Sequence, residues 1–289
     1  MKSDSQGILM PDAGGYPAFL RQCLKKPPPI YYRGAVDLLR AEKILSVVGS
    51  RMLTTANQRS MYSILSPLHD QPLVIMSGLA RGLDALAHSL ALEHNLKTIA
   101  ILGSGVAQHE VYPPSNTALA DRIIDSGGLL LSPFPEGTPI MPYNFPIRNQ
   151  LIAALSHATL IASAAKKSGA LITARLALEY GKEVFVIPGY VADQMYEGSN
   201  LLMQQGAYPI LSAEDITTYF GLSSAHAKEY RTDDPVEKKI IATLKQKNLT
   251  LNELSEALKL PPYKLTPLVS KLELKSWITF ASDGTISLS

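Results

Sequence analysis

What is scarce in this 289-residue chain narrows it first. There is one cysteine, Cys23, so the chain can form no internal disulfide and no cysteine-built metal centre, which suits a reducing cytoplasm. Six histidines are scattered. His88 and His94 fall on different helix faces, and no metal site is expected. No apolar run is long enough to cross a bilayer, and the N-terminus has no secretory apolar core. Neither sign of charge is in excess, the net charge being +2. Residues 231–289 hold nine cations and seven acids, so residues 1–230 hold eighteen of each. A basic surface on the larger part must come from where charge is placed. Catalytic sets are scarce too. The acids near predicted strand ends are Asp84, Glu110 and Glu136, and none is obviously paired with a histidine. His109 and His157 stand near segment ends but match equally well as surface residues. This poverty favours a binding protein over an enzyme, with no cofactor.

What is present is a rhythm. Short apolar runs recur at Ile44–Val48, Leu73–Met76, Thr98–Leu102, Leu129–Leu131, Thr159–Ala162, Val184–Ile187 and Ala207–Leu211, most separated by helix-like segments. Continuous short runs alternating with helices predict an α/β fold, an extended Rossmann-like, doubly wound and mostly parallel sheet. Residues 1–15 read as a tail, and residues 16–220 as the Rossmann-like domain, entered through an extended proline-bearing stretch. Residues 221–234 are polar and aperiodic, a linker. Residues 235–289 predict three short helices and a terminal hairpin, a winged-helix domain, with Thr250 and Glu253 as a capping box. Pro267 should kink or shorten the third helix.

Glycine, serine and cations follow strand after strand: Gly49-Ser50-Arg51, Ser77 to Gly82, Gly103-Ser104-Gly105 and Lys166 to Gly169. That sheet edge is where ligands bind in open α/β proteins. Gly103-Ser104-Gly105 is an incomplete dinucleotide fingerprint, since Gln108 stands at its third glycine. Asp84 reads as a cap or as a partner of Arg81. The richest stretch is Pro142–Arg175. Its amides and cations, and the helix that opens after Lys167-Ser168-Gly169, make an anion site. Arg51, Arg81, Arg148 and Lys167 would supply charge, and Phe145 and Asn144 would meet bases, as in single-strand binders.

The chain resembles the DprA/Smf family of DNA-processing proteins. The resemblance rests on VVGSR (47–51), MSGLARGLDALAHSLAL (76–92), TIAILGSG with VYPPSN (98–116), LLLSPFPEGTPIMPYNFPIRNQLIAALS (129–156), KSGALITARLALEYGKEVFVIPG (167–189) and EGSNLLMQQGA with SAEDI (197–216). It implies a non-catalytic, homodimeric, single-stranded-DNA-binding protein that protects incoming strands. It also implies a handover to a RecA-type recombinase in natural transformation, with a single-strand-binding protein as a further partner. By motif, the DNA-binding positions would be Ser50, Arg51, Phe145, Arg148, Asn149, Lys167, Ser168, Gly169 and Thr173. Ser163 stands where the family usually has an acid, and Gln150 where it often has arginine. The residues alone leave two other readings open, a nucleotide-binding or nucleotide-hydrolysing enzyme and a winged-helix transcription regulator.

Overall fold

The computed structural model describes residues 5–223, 230, 232–275, 277–281 and 283–288. The larger part runs β1 (Gln6–Leu9), α1 (Ala18–Cys23), β2 (Ile30–Gly34), β3 (Ile44–Val48), α2 (Thr55–Leu65), β4 (Val74–Ser77), α3 (Leu83–Glu93), β5 (Lys97–Ile101), α4 (Thr117–Asp125) and β6 (Leu129–Ser132). It continues with α5 (Asn144–Leu155), β7 (Ala158–Ile161), α6 (Ala170–Glu179), β8 (Glu183–Val186), α7 (Glu197–Gln204), β9 (Tyr208–Pro209) and α8 (Ala213–Phe220). One nine-stranded sheet has the order β1-β2-β6-β5-β4-β3-β7-β8-β9. Every neighbour pair from β6 to β9 is parallel, while β2 and β1 close the far edge antiparallel.

The sequence dictates the middle of this sheet directly. β3, β4, β6 and β7 are buried at every residue, because helices cover both faces and leave no wet side for alternation. One face packs on α1, α5 and α6, and the other on α2, α3 and α8. Polar groups between the central strands are paired with one another or with the backbone. Ser46 Oγ donates to Thr159 Oγ1 across β3 and β7 at 2.8 Å, and Thr98 Oγ1 donates to Ile75 O at 2.8 Å.

Two expectations at the amino-terminal end are corrected. Residues 6–9 are not part of a tail but an edge strand, and residues 30–34 of the extended lead-in are the strand beside it. β2 takes its partner from β6 and β1 in turn from β2, hydrogen bonds that local pattern does not predict. Residues 1–4 of the expected tail lie outside the described residues, as do 224–229 and 231 of the expected linker.

The C-terminal part has its own core around Ile240, Leu254, Leu265, Val269 and the buried Trp277. It consists of α9 (Pro235–Leu244), β10 (Leu249–Thr250), α10 (Leu251–Leu258), α11 (Pro262–Leu274), β11 (Ile278–Phe280) and β12 (Thr285–Leu288), with strand order β10-β12-β11. Thr250 Oγ1 accepts from Glu253 N, and Glu253 Oε2 accepts from Thr250 N at 2.8 Å, the predicted capping box. α11 runs unbroken through Pro267. Pro267 and the residue one turn before it, Tyr263, are both exposed, so the carbonyl that loses its N–H partner is close to water. Ser282 of the predicted hairpin turn lies outside the described residues.

Candidate nucleic-acid interface

The strand order fixes where a ligand can enter. The chain winds outward from β3 through β4 and β5 to β6, then crosses back by α5 to place β7 on the other side of β3. Loops leaving β3 and β7 at their carboxyl ends therefore diverge, and a crevice opens between them. A cleft of about 780 Å³ lies there. Its banks are the loop after β3, the first turns of α5 and the start of α6. Ser50, Arg51, Phe145, Arg148, Asn149, Lys167, Ser168, Gly169 and Thr173 all line it. Residues far apart in the chain thus converge as the motifs predict. Arg81 is exposed and Asn144 is buried, and neither is among the lining residues.

The exposed chemistry is cationic and aromatic. The Arg51 guanidinium sits 5.5 Å from the centre of the Phe145 ring, a cation–π contact that parks the charge over a partly exposed aromatic face. Tyr112, half-exposed, has its ring centre 5.9 Å from that of Phe145. Lys167 is exposed and has no ion-pair partner among the described residues, whereas Lys166 pairs with Glu197 at 3.1 Å. At the start of α6, Ser168 Oγ accepts from Ala170 N at 3.2 Å. A Cβ on Gly169 would meet no atom within 4 Å, so the space before this helix start is open. Amides and helix dipole there attract an anion.

Beneath the cleft lies a buried ionic floor that sequence reasoning placed differently. Arg148 is not an exposed phosphate ligand. It is buried, and its Nη1 donates to Ile101 O at 2.8 Å. It threads past Gly78, where any Cβ would overlap the guanidinium. That glycine serves the protein's own arginine, not the close approach of a ligand. Asp84 faces Arg148, not Arg81, and takes backbone N–H groups from Ala80, Gly49 and Gly78. Burial pushes the Asp84 carboxyl up, and the Arg148 charge opposes that rise. Burial lowers the Arg148 pKa, against the pull of Asp84. His88, one turn after Asp84 on α3, is also buried. Its Nδ1 lies 2.7 Å from Thr98 Oγ1, and since that hydroxyl donates to Ile75, Nδ1 carries the proton. Burial, and then Arg148, push the His88 pKa down to about 3, so the ring is neutral at ordinary pH.

Asn144 is also corrected. It is buried, not at the cleft surface, and its Nδ2 donates to Gly103 O and Pro139 O, both at 3.0 Å, clamping the start of α5 to the loop after β5. Gly103 allows the Phe145 ring to lie against that loop. Ser163 is fully buried with an unpartnered Oγ, so no charge enters the floor at that point. The grip of Asp84 on two strand-end turns was the main feature missed. Of the two roles expected for Asp84, the cap is present, since its Oδ2 accepts from Ala80 N at 3.4 Å, while the arginine it faces is Arg148 and not Arg81. His157 sits at the opposite edge of the sheet, where its Nδ1 accepts from Ile44 N at 3.1 Å. His109 and Glu136 are exposed on the far loops, 3.7 Å apart. Neither histidine is among the residues that line the cleft.

The chain is therefore a doubly wound, Rossmann-like α/β protein whose switch-point cleft is shaped and charged for an anion. It belongs to the DNA recombination-mediator protein A family, which it matches over residues 7–221. Protein Smf of Escherichia coli is 31% identical over 298 residues, covering 100% of this chain and 79% of that protein. DNA processing protein DprA of Streptococcus pneumoniae is 38% identical over 205 residues, 71% of each chain. The solved S. pneumoniae DprA structure superposes with a TM-score of 0.69 at 35% identity, covering 75% of each chain. A structure of DNA processing protein A from Helicobacter pylori, described as revealing its single-stranded DNA binding mode, superposes with a TM-score of 0.65 at 28% identity, covering 75% of this chain and 96% of that one. No helix among the described residues is long and apolar enough to cross a membrane.

Proposed function

We propose that the switch-point cleft holds single-stranded DNA without altering it, and that the chain acts in DNA processing during transformation. One observation carries this reading. Arg51 and Lys167, both exposed and without an acidic partner among the described residues, flank an accessible Phe145 ring and an open helix start in one cleft. Phosphates would lie on Arg51, Lys167 and the Ser168–Gly169 turn, and a base on Phe145, the arrangement by which proteins hold single strands with little sequence preference. The single-strand binding described for the H. pylori relative supports the same ligand. Asp84, the acid that lines the cleft, is committed to backbone amides and to Arg148, which favours holding over hydrolysis. Handover to a RecA-type recombinase, contact with a single-strand-binding protein, homodimer formation and a cytoplasmic site of action belong to the same proposal. So does a division into a DNA-holding unit up to residue 220 and a winged-helix unit over 235–289.

Binding of labelled oligo-dT tests it. Arg51→Ala and Lys167→Ala should each weaken affinity about tenfold, the scale of one lost charged phosphate contact. Gly169→Ala should leave the melting temperature unchanged, since its Cβ meets nothing, while crowding the strand. Unchanged oligo-dT affinity in both cation variants would remove the cleft as the site.

A further inference from the structure

The third helix of a winged helix is the one that enters the major groove in duplex readers. In this chain the last turn of that helix, α11, already has a partner. Glu273 Oε1 meets Arg59 Nη2 of α2 at 2.7 Å, and Lys275, just past the helix end, meets Glu93 Oε1 at the end of α3, also at 2.7 Å. Lys275 is buried, an unusual place for a lysine unless its charge is paired. It lies 3.8 Å from the fully buried Glu237 of α9 and 4.4 Å from the centre of the Trp277 ring. Glu237 also pairs with Lys271 at 2.6 Å and accepts from Thr232 Oγ1 at 2.7 Å. Tyr62 of α2 faces the same cluster. Its hydroxyl is pushed up to about 12, first by burial and then by Glu93 and Glu237. Charges from α2, α3, α9 and α11 thus close on one another across the boundary between the two parts, and each sign meets its opposite.

We propose that α11 is a docking element whose partner is the α2–α3 face of the same chain, held by a clasp of Lys275 with Glu93 and Arg59 with Glu273, and that it is not a reader of duplex DNA. The distribution of charge along α11 fits this role. Lys271, and Lys275 just past the helix end, are engaged by Glu237 and Glu93, and the one acid of α11, Glu273, by Arg59, so the last turn offers no free cation to a phosphate and only the exposed Lys264 of the first turn remains. The clasp also reaches the cleft, because Arg59 lies on the helix that begins just after Arg51–Leu53.

Hydrogen exchange on the full chain tests this without any DNA. E93K leaves the C-terminal part unaltered and sets a like charge against Lys275. Amides in the last turn of α11 and around Arg59 should then exchange about tenfold faster, as expected when a desolvated charge loses its partner. The swap E93K/K275E should restore the parent rate. Because K275E also faces Glu237, the second swap, R59E/E273R, gives an independent readout between part-exposed side chains. Its single variants should quicken exchange and the double should slow it again. The proposal is overturned if the single variants exchange like the parent, or if neither swap restores the rate. It is equally overturned if a short duplex oligonucleotide protects α11 amides in the parent chain.

Discussion

Arg148 shows how position changes what a residue does. In the sequence it is a cation in a basic stretch. In the fold it is a strut between Ile101, Gly78 and Asp84, so Arg148→Ala should cost stability before it costs affinity. Its burial depends on a gap at Gly78, seventy residues earlier, and nothing local to Arg148 announces that gap. The placement of Lys167 and Gly169 at a helix start on the cleft, by contrast, is legible in sequence because the turn and the helix start are adjacent to them in the chain. His88, beside Arg148, makes the floor sensitive to acid. Its pKa is about 3 in the fold against 6.5 for an ordinary histidine. Between those values the unfolded chain binds a proton that the folded chain refuses, so stability falls as pH falls, by at most about 1.4 kcal/mol per pH unit. Asp84 works the other way, since its raised pKa lets the folded state take a proton sooner and offsets part of the loss. The urea midpoint should therefore drop steadily as pH falls below 6.5, and His88→Gln should flatten that drop.

Among the elements, α2 ties the cleft to the rest of the fold. Thr54 Oγ1 accepts from Asn57 N at 3.2 Å, Asn57 Oδ1 accepts from Thr54 N at 2.9 Å, and the buried Asn57 donates from Nδ2 to Met52 O at 3.2 Å. A capping box thus fixes the loop that carries Arg51. Asn57→Ala should lower unfolding free energy by about 1–2 kcal/mol, as a lost cap with unpaired buried groups does. Amide exchange should also quicken over residues 51–55, and unaltered exchange there would refute the link. Strands β3 to β8 were legible in sequence because a strand buried on both faces must be continuously apolar. β1 was not, because its residues alternate between exposed and partly buried. Nor was β2, which follows three prolines and has only its two end residues buried. β2 exists through pairing to β6, a contact made about a hundred residues away, and β1 through pairing to β2.

Across the whole molecule charge is balanced, so the attraction for an anion is local to the cleft. Each phosphate neutralised in a single strand contributes about −0.7 to the slope of log affinity against log salt. With Arg51 and Lys167 as the uncommitted cations, the slope should be near −1.4 per chain and should lose about 0.7 in Lys167→Ala. A slope many times steeper would require a second DNA surface. The three amides that Asp84 gathers bear on timing. They come from the turns after β3 and β4, so one bank of the cleft is set before any strand arrives. An arriving strand then has little to rearrange, and binding should follow one exponential with no slow isomerisation phase. Strands would differ mainly in how long they stay, not in how fast they are met.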